Sequence, residues 1–295
     1  MTDNDQRLDD ACDLYASLMA NVSGSKDPRL ERVFKLVPRQ AFLPPGPWTI
    51  VAGDRKVVTP SADPIHLYQN VLVALDVDEG INNGEPFLHA RWIGAIAPQP
   101  GEAVTHIGAG AGYYSAILSV LVLPGGTVTA FEIHKDLAAA ARQNLEPFEN
   151  VEVVAGDAVT LAIPPSDIIY VNAGVVAPPL AWLEALKPGG RLVFPWRPAA
   201  KVALALMVRR MDDGFAVEPL MHAYFIPCIG ASEAPAGSQP PAYTGAWGSR
   251  SIRLTRDEEP DASATAVYGD IWFSSAPPGA PAQAAAAKYP SRKAS

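Results

Sequence analysis

Residues 104–116, "VTHIGAGAGYYSA", combine residue types and spacing that suggest chemistry. Gly108, Gly110 and Gly112 alternate between a β-type run and an apolar, helix-like run. Glycine this dense lets a ligand approach the backbone, because no Cβ intervenes. In an alternating strand–helix fold, the turn after the first strand faces the ligand crevice and the next helix presents its N-terminus there. Glu132 ends the following β-type run, "TVTAFE", twenty residues after Gly112. A carboxylate at that spacing accepts hydrogen bonds from ribose hydroxyls. A dinucleotide and S-adenosylmethionine both fit these residues. His106 stands two residues before Gly108 and raises the question of its part in the same site.

Three details favour S-adenosylmethionine. The spacing is G-x-G-x-G, with Tyr113 and Tyr114 next, rather than the G-x-G-x-x-G of dinucleotide folds. In "NVEVVAGDAV", Gly156-Asp157 follows a third β-type run, where a carboxylate can accept from an adenine amino group. "LKPGGRLVFP" (186–195) sets a Pro-Gly-Gly turn before a strand, and a hairpin follows it.

The elements that must position these residues follow from periodicity. Leu8, Cys12, Tyr15, Leu18, Met19 and Val22 recur at helical spacing over residues 5–22. Asp27-Pro28 predicts an N-cap and first-turn proline for a second helix, with the stripe Leu30, Val33, Phe34 and Val37. "VPRQAFLPPGPW" is too proline-rich for long regular structure, and residues 60–85 read as mostly irregular. "EPFLHARWIGAIA" (85–97) predicts a helix. From 101 onward strands alternate with helices, which implies a parallel sheet covered on both faces. "KVALALMVRR" and "AVEPLMHAYFIP" predict an antiparallel hairpin turning at Asp213-Gly214. We therefore expect three regions: a helical and loop region at 1–95, a core at 96–230, and a Pro/Ala-rich extension at 231–295. The last part of that extension reads as disordered. Within it, "SIRLTRDEEP" and "ATAVYGDIWF" each allow a short strand or helix.

Composition narrows the function classes. A net charge of −8 argues against a general nucleic-acid binder, which shows a basic face. Two cysteines, Cys12 and Cys228, do not make a disulfide scaffold and fit a reducing compartment. Neither has a metal-type neighbour, so no metal is expected. The acidic start "MTDNDQRLDD" does not read as a signal peptide, and no apolar run is long enough to span a membrane. These features predict a soluble, cytoplasmic protein.

The glycine turn, Glu132, Gly156-Asp157 and the Pro-Gly-Gly strand resemble, in this order, the class I methyltransferases. "VPRQAFLP" (37–44), Tyr68, "IIYVNAG" and "AYFIPCIG" narrow the likeness to the protein-L-isoaspartate O-methyltransferases, over about residues 28–230. The resemblance implies an α/β fold: a Rossmann-like, doubly wound, mostly parallel sheet with a C-terminal antiparallel hairpin and N-terminal helices. It implies methyl transfer from S-adenosyl-L-methionine to a carboxylate, in the family an isoaspartyl α-carboxylate of damaged protein. By position it implies Gly108, Gly110 and Gly112 as cofactor glycines, Glu132 at the ribose, and Asp157 with Ala158 at the adenine. Asn172 falls beside the methyl-transfer site.

Two departures from the family stand out. The family carries a T-I-S-x-P-like segment whose hydroxyl lies close to the methyl donor; here "INNGEP" puts Gly84 in its place. Asn83 remains to orient an acceptor by hydrogen bonding, whereas Glu85 would repel an anionic one. His106 stands where the family has a glutamate near the cofactor's amino end. Asn83, Gly84 and Asn172 are thus the expected catalytic positions. His106, Gly108, Gly110, Gly112, Glu132, Asp157 and Ala158 are the expected cofactor positions, and the expected acceptor is a protein, a peptide or a small molecule. His89 reads equally well as a buried helix histidine or as a substrate contact. The competing readings are a non-catalytic cofactor- or partner-binding module and, less favoured, an NAD-dependent oxidoreductase.

Overall fold

The computed structural model describes residues 3–282, so the predicted disorder of the tail falls largely outside the described residues. Helices α1 (Asp3–Ser23) and α2 (Arg29–Leu36) open the chain. Asp27 Oδ1 accepts from the Arg29 backbone N–H at 2.9 Å, so the expected capping residue acts at the start of α2.

Residues 60–85 are mostly irregular, as expected, but they contribute two short strands to a small sheet begun upstream. Strands β1 (Thr49–Ala52) and β2 (Arg55–Val58) form a hairpin around Gly53-Asp54. Strands β3 (Leu72–Asp76) and β4 (Ile81–Asn82) join it in a small antiparallel sheet of order β2-β1-β3-β4. These strands are too short to show a period of their own. Pairing and a satellite core of Trp48, Leu67 and Val73 stabilise them.

Helix α3 (Pro86–Ile96) follows and leads into the main sheet. The alternating half comprises β5 (Ala103–Ile107), α4 (Tyr113–Leu121), β6 (Thr127–Glu132), α5 (Lys135–Asn144), β7 (Val151–Ala155), β8 (Ser166–Val171), α6 (Leu180–Ala185) and β9 (Leu186–Ala199). Its strands are parallel in the order β9-β8-β5-β6-β7. The chain winds one way from β5 through β6 to β7 and returns to the other side at β8, which opens a crevice at the strands' carboxyl ends. Within β9 the Pro-Gly-Gly turn is a looped-out bulge: Leu186 pairs with Ser166, and Arg191 already pairs with Ile168.

The antiparallel half extends further than one hairpin. β10 (Val202–Met211) and β11 (Gly214–His222) form the expected hairpin, with its turn at Asp212-Asp213 because Met211 pairs with Gly214. After α7 (Tyr243–Gly248), strands β12 (Ser251–Leu254), β13 (Ala264–Tyr268) and β14 (Ile271–Ser274) continue the sheet to ten strands. The composition change at 231 is therefore not a break in the fold. β12 pairs with β11, and Ile252, Ala266, Tyr268, Ile271 and Phe273 enter the same core as Trp182 and Trp196. Successive residues of β8 divide between the two faces, Ile168 and Tyr170 under the N-terminal helices, Ile169 and Val171 under the other layer. Among the described residues no helix is long and apolar enough to cross a membrane.

Candidate active site

A cavity of about 680 Å³ opens at the carboxyl ends of β5, β6 and β8. Strands β3 and β4, the 83–85 segment and the start of α3 close one side, and residues 222–229 close the other. Eight of the ten expected site residues line it: Asn83, Gly84, Gly108, Gly110, Glu132, Asp157, Ala158 and Asn172.

The glycine loop is held by protein acceptors. Gly108 and Ala109 donate their N–H groups to the Phe131 carbonyl at 2.9 and 3.0 Å. Gly110 donates to Glu132 Oε2 at 2.7 Å, and Gly112 donates to the Ala109 carbonyl at 2.9 Å. A diphosphate cradle needs such N–H groups aimed at the ligand; here four of them are already engaged. The loop therefore suits a cofactor without a diphosphate, which weighs against the dinucleotide reading. Asp157 Oδ1 accepts from the Val159 N–H at 2.8 Å, while its Oδ2 packs beside Gly230.

Two expected residues do not line the cavity. Gly112 begins α4 with φ of 97°, and a Cβ there would meet Leu145 Cδ1 at 2.7 Å. It is needed for the turn and for helix packing rather than for ligand approach. His106 is fully buried behind the wall. Burial lowers its pKa from 6.5 to about 3, so the ring is neutral. Asn172 Nδ2 donates to His106 Nε2 at 2.8 Å, which leaves the proton on Nδ1 to be donated to Ser115 Oγ at 2.7 Å. His106 meets the cavity lining through its hydrogen bond to Asn172. The contact fixes the amide so that Asn172 Oδ1, buried and without a partner, is left as an acceptor.

At the other end, a Cβ on Gly84 would come within 2.3 Å of His89 Nε2 and 3.0 Å of Tyr114 Cε2, and Gly84 has φ of 77°. His89 is fully buried, stacks on Tyr114 at 3.7 Å, and shares a 2.7 Å hydrogen bond with Tyr170 through Nδ1. Its pKa is pushed well below the usual value, first by burial, with the Arg39 guanidinium acting in the same direction. The missing side chain at 84 thus makes room for an imidazole. His89 Nε2, Tyr114 OH and Asn83 Nδ2 are all buried without partners, and all three residues line the cavity. A buried polar atom left unpaired costs about 1–3 kcal/mol, so three of them on residues of one cavity wall set this wall apart as polar and unsatisfied. Glu85 also lines the cavity, with its Oε1 accepting from Asn70 Nδ2 at 2.6 Å.

Two arginines also belong to this end. Arg39, from "VPRQAFLP", is fully buried; it donates to the carbonyls of Leu67 and Gln69 at 2.7 and 3.2 Å, to that of Val71, and to Asn83 Oδ1 at 3.1 Å. Arg197 lines the cavity from β9 and donates to the Phe225 carbonyl. Sequence reasoning did not select Arg39, Arg197 or the 222–229 wall as site features. A single arginine after an apolar run carries no spacing signal, and their convergence is a product of topology. Among the described residues no group of three or more His, Cys, Asp or Glu side chains could hold a metal ion.

Comparison with known proteins agrees with this geometry. Residues 49–233 match the profile of the protein-L-isoaspartate (D-aspartate) O-methyltransferase family. The chain belongs to that family. Protein-L-isoaspartate O-methyltransferase 2 of Pelobacter propionicus is 33% identical over 214 residues, 70% of this chain and 85% of that protein. The Aeropyrum pernix protein-L-isoaspartate O-methyltransferase is 34% identical over 200 residues, 66% of this chain and 70% of that protein. A solved protein-L-isoaspartate O-methyltransferase shares the fold with a TM-score of 0.61 at 24% identity, over 72% of this chain and 65% of that one. A Plasmodium falciparum structure in complex with S-adenosyl-L-homocysteine shares it at 0.57 and 16%, over 72% and 97%. As a member of this family the chain is an S-adenosylmethionine-dependent methyltransferase. The residues present fit that cofactor: Gly108 and Gly110 form a cradle free of Cβ atoms, Glu132 and Asp157 supply carboxylates, and Asn172 supplies the unpartnered acceptor.

Proposed function

We infer that the protein methylates the α-carboxylate of isoaspartyl residues in proteins and peptides, a repair reaction, in the cytoplasm. The observation that carries this reading is that three residues lining the cavity, Asn83, His89 and Tyr114, each hold a buried polar atom without a partner, Nδ2, Nε2 and OH. Bound S-adenosylmethionine supplies an electrophilic methyl on a sulfonium. Gly108, Gly110, Glu132, Asp157 and Ala158 would hold its nucleoside part, with Asn172 Oδ1 at its amino end.

An ionised carboxylate is already a nucleophile, so no general base is required. The chain's own task is to orient the acceptor and exclude water. Asn83 Nδ2 is a donor for one carboxylate oxygen, which leaves the other free to react. His89 stays neutral, so it offers Nε2 without changing charge during the working pH range. The family hydroxyl is replaced by this imidazole, and the replacement keeps a polar group at the same wall. Free cysteines at positions 12 and 228 support the cytoplasmic assignment.

The test is methyl transfer from labelled S-adenosylmethionine to an L-isoaspartyl peptide, with the matching L-aspartyl peptide as control. Turnover confined to the isoaspartyl peptide is the expected result. Binding of S-adenosylhomocysteine without turnover of either peptide would overturn the acceptor assignment and favour a binding module.

A further inference from the structure

Arg197 reaches the cavity by a defined route. Its stem crosses the end of β8 at Gly174, where a Cβ would lie 2.5 Å from Arg197 Cδ and 3.2 Å from Cγ. Gly174 is itself pinned: its N–H donates to the Ile226 carbonyl at 2.7 Å and its carbonyl accepts from Cys228 N–H at 2.8 Å. The bond to the Phe225 carbonyl then holds the guanidinium in place. Among the described residues no carboxylate lies within ion-pair distance of Arg197, and of the unpaired arginines it is one that lines the cavity. The carboxylates lining the cavity are engaged elsewhere: Glu132 with Gly110 and His134 N–H groups, Asp157 with Val159 N–H, Glu85 with Asn70.

Arg39 adds to the same field. Its buried guanidinium donates to Asn83 Oδ1 and so polarises that amide, strengthening Asn83 Nδ2 as a donor. A wall with positive potential draws and orients an anion.

We propose that Arg197 is the specificity residue that receives the negative charge of the acceptor, a carboxylate of a peptide substrate. The proposal rests on the acceptor reading above, and its test separates the two. Protein saturated with S-adenosylhomocysteine is titrated calorimetrically with an L-isoaspartyl peptide and with glutarate as a plain dicarboxylate probe. Wild type binds both. Arg197→Met keeps the stem and weakens both by about ten- to a hundred-fold, the value of a hydrogen bond to a charged group. Arg197→Lys recovers part of the loss, and affinity for S-adenosylhomocysteine is unchanged in both variants. Gly174→Ala keeps the charge but displaces the stem, and weakens the probes in the same direction. In turnover the loss appears in KM rather than kcat.

Wild-type binding of glutarate that Arg197→Met abolishes supports the proposal even where no isoaspartyl turnover occurs, which would refute only the acceptor reading. Equal probe binding by wild type and Arg197→Met, or no probe binding by wild type, overturns it. Loss of S-adenosylhomocysteine binding in both arginine variants would likewise overturn it, showing Arg197 to be a structural strap for residues 225–228.

Discussion

Restoring a hydroxyl at position 84 should harm the protein rather than improve it. In Gly84→Ser the new Cβ starts 2.3 Å from His89 Nε2 and 3.0 Å from Tyr114 Cε2, and these rings are stacked and buried. Moving them costs about 1–3 kcal/mol, the usual range for overpacking. The backbone adds a second cost, because a non-glycine residue at φ of 77° loses about 1–2 kcal/mol. The sum is about 2–5 kcal/mol. A loss near 3 kcal/mol lowers Tm by about 5 °C for a chain of this size. Calorimetric melting and initial rates with an isoaspartyl peptide measure the two consequences together. His89→Ala in the Gly84→Ser background should recover about 1–3 kcal/mol as the coupling between residues in contact. A Gly84→Ser protein that melts with wild type and turns over faster would refute the account, since it would show that the pocket accommodates the hydroxyl without displacing His89.

Other outcomes follow from the buried groups. His106 has a folded pKa of about 3 against 6.5 in the unfolded chain, so below pH 6.5 the unfolded state takes up the proton first and stability falls with pH. Between pH 7 and pH 5 this removes about 2 kcal/mol, and His89 acts in the same direction. Urea denaturation of wild type and His106→Gln at both pH values should show a correspondingly smaller loss in the variant; equal losses would refute it. Gly112→Ala should lower Tm by several degrees through Leu145 and its positive φ, with S-adenosylhomocysteine affinity within about two-fold. Loss of that affinity at unchanged Tm would return Gly112 to the ligand site.

Much of this protein was legible in one dimension. The alternation of short apolar runs with helical stripes from residue 101 onward determines the parallel half of the sheet, because buried strands and crossover helices impose different periods. Gly108, Gly110, Glu132 and Asp157 were legible because each lies at the carboxyl end of a strand, where chain order alone brings it to the crevice. What the sequence could not decide arises from contacts between distant segments. β3 and β4 exist through pairing with β1 and through the Trp48 core, and β12–β14 through addition to the edge at β11. His106 and Gly112 share the motif's spacing, yet packing turns one behind the wall and the other towards Leu145. Tertiary structure alone decided that an imidazole from α3 fills the space left by Gly84. It alone placed Arg39 beneath Asn83 and Arg197 across Gly174. The physical reason is the same in each case: spacing along the chain reports which face a residue is on, but only folding reports what stands opposite it.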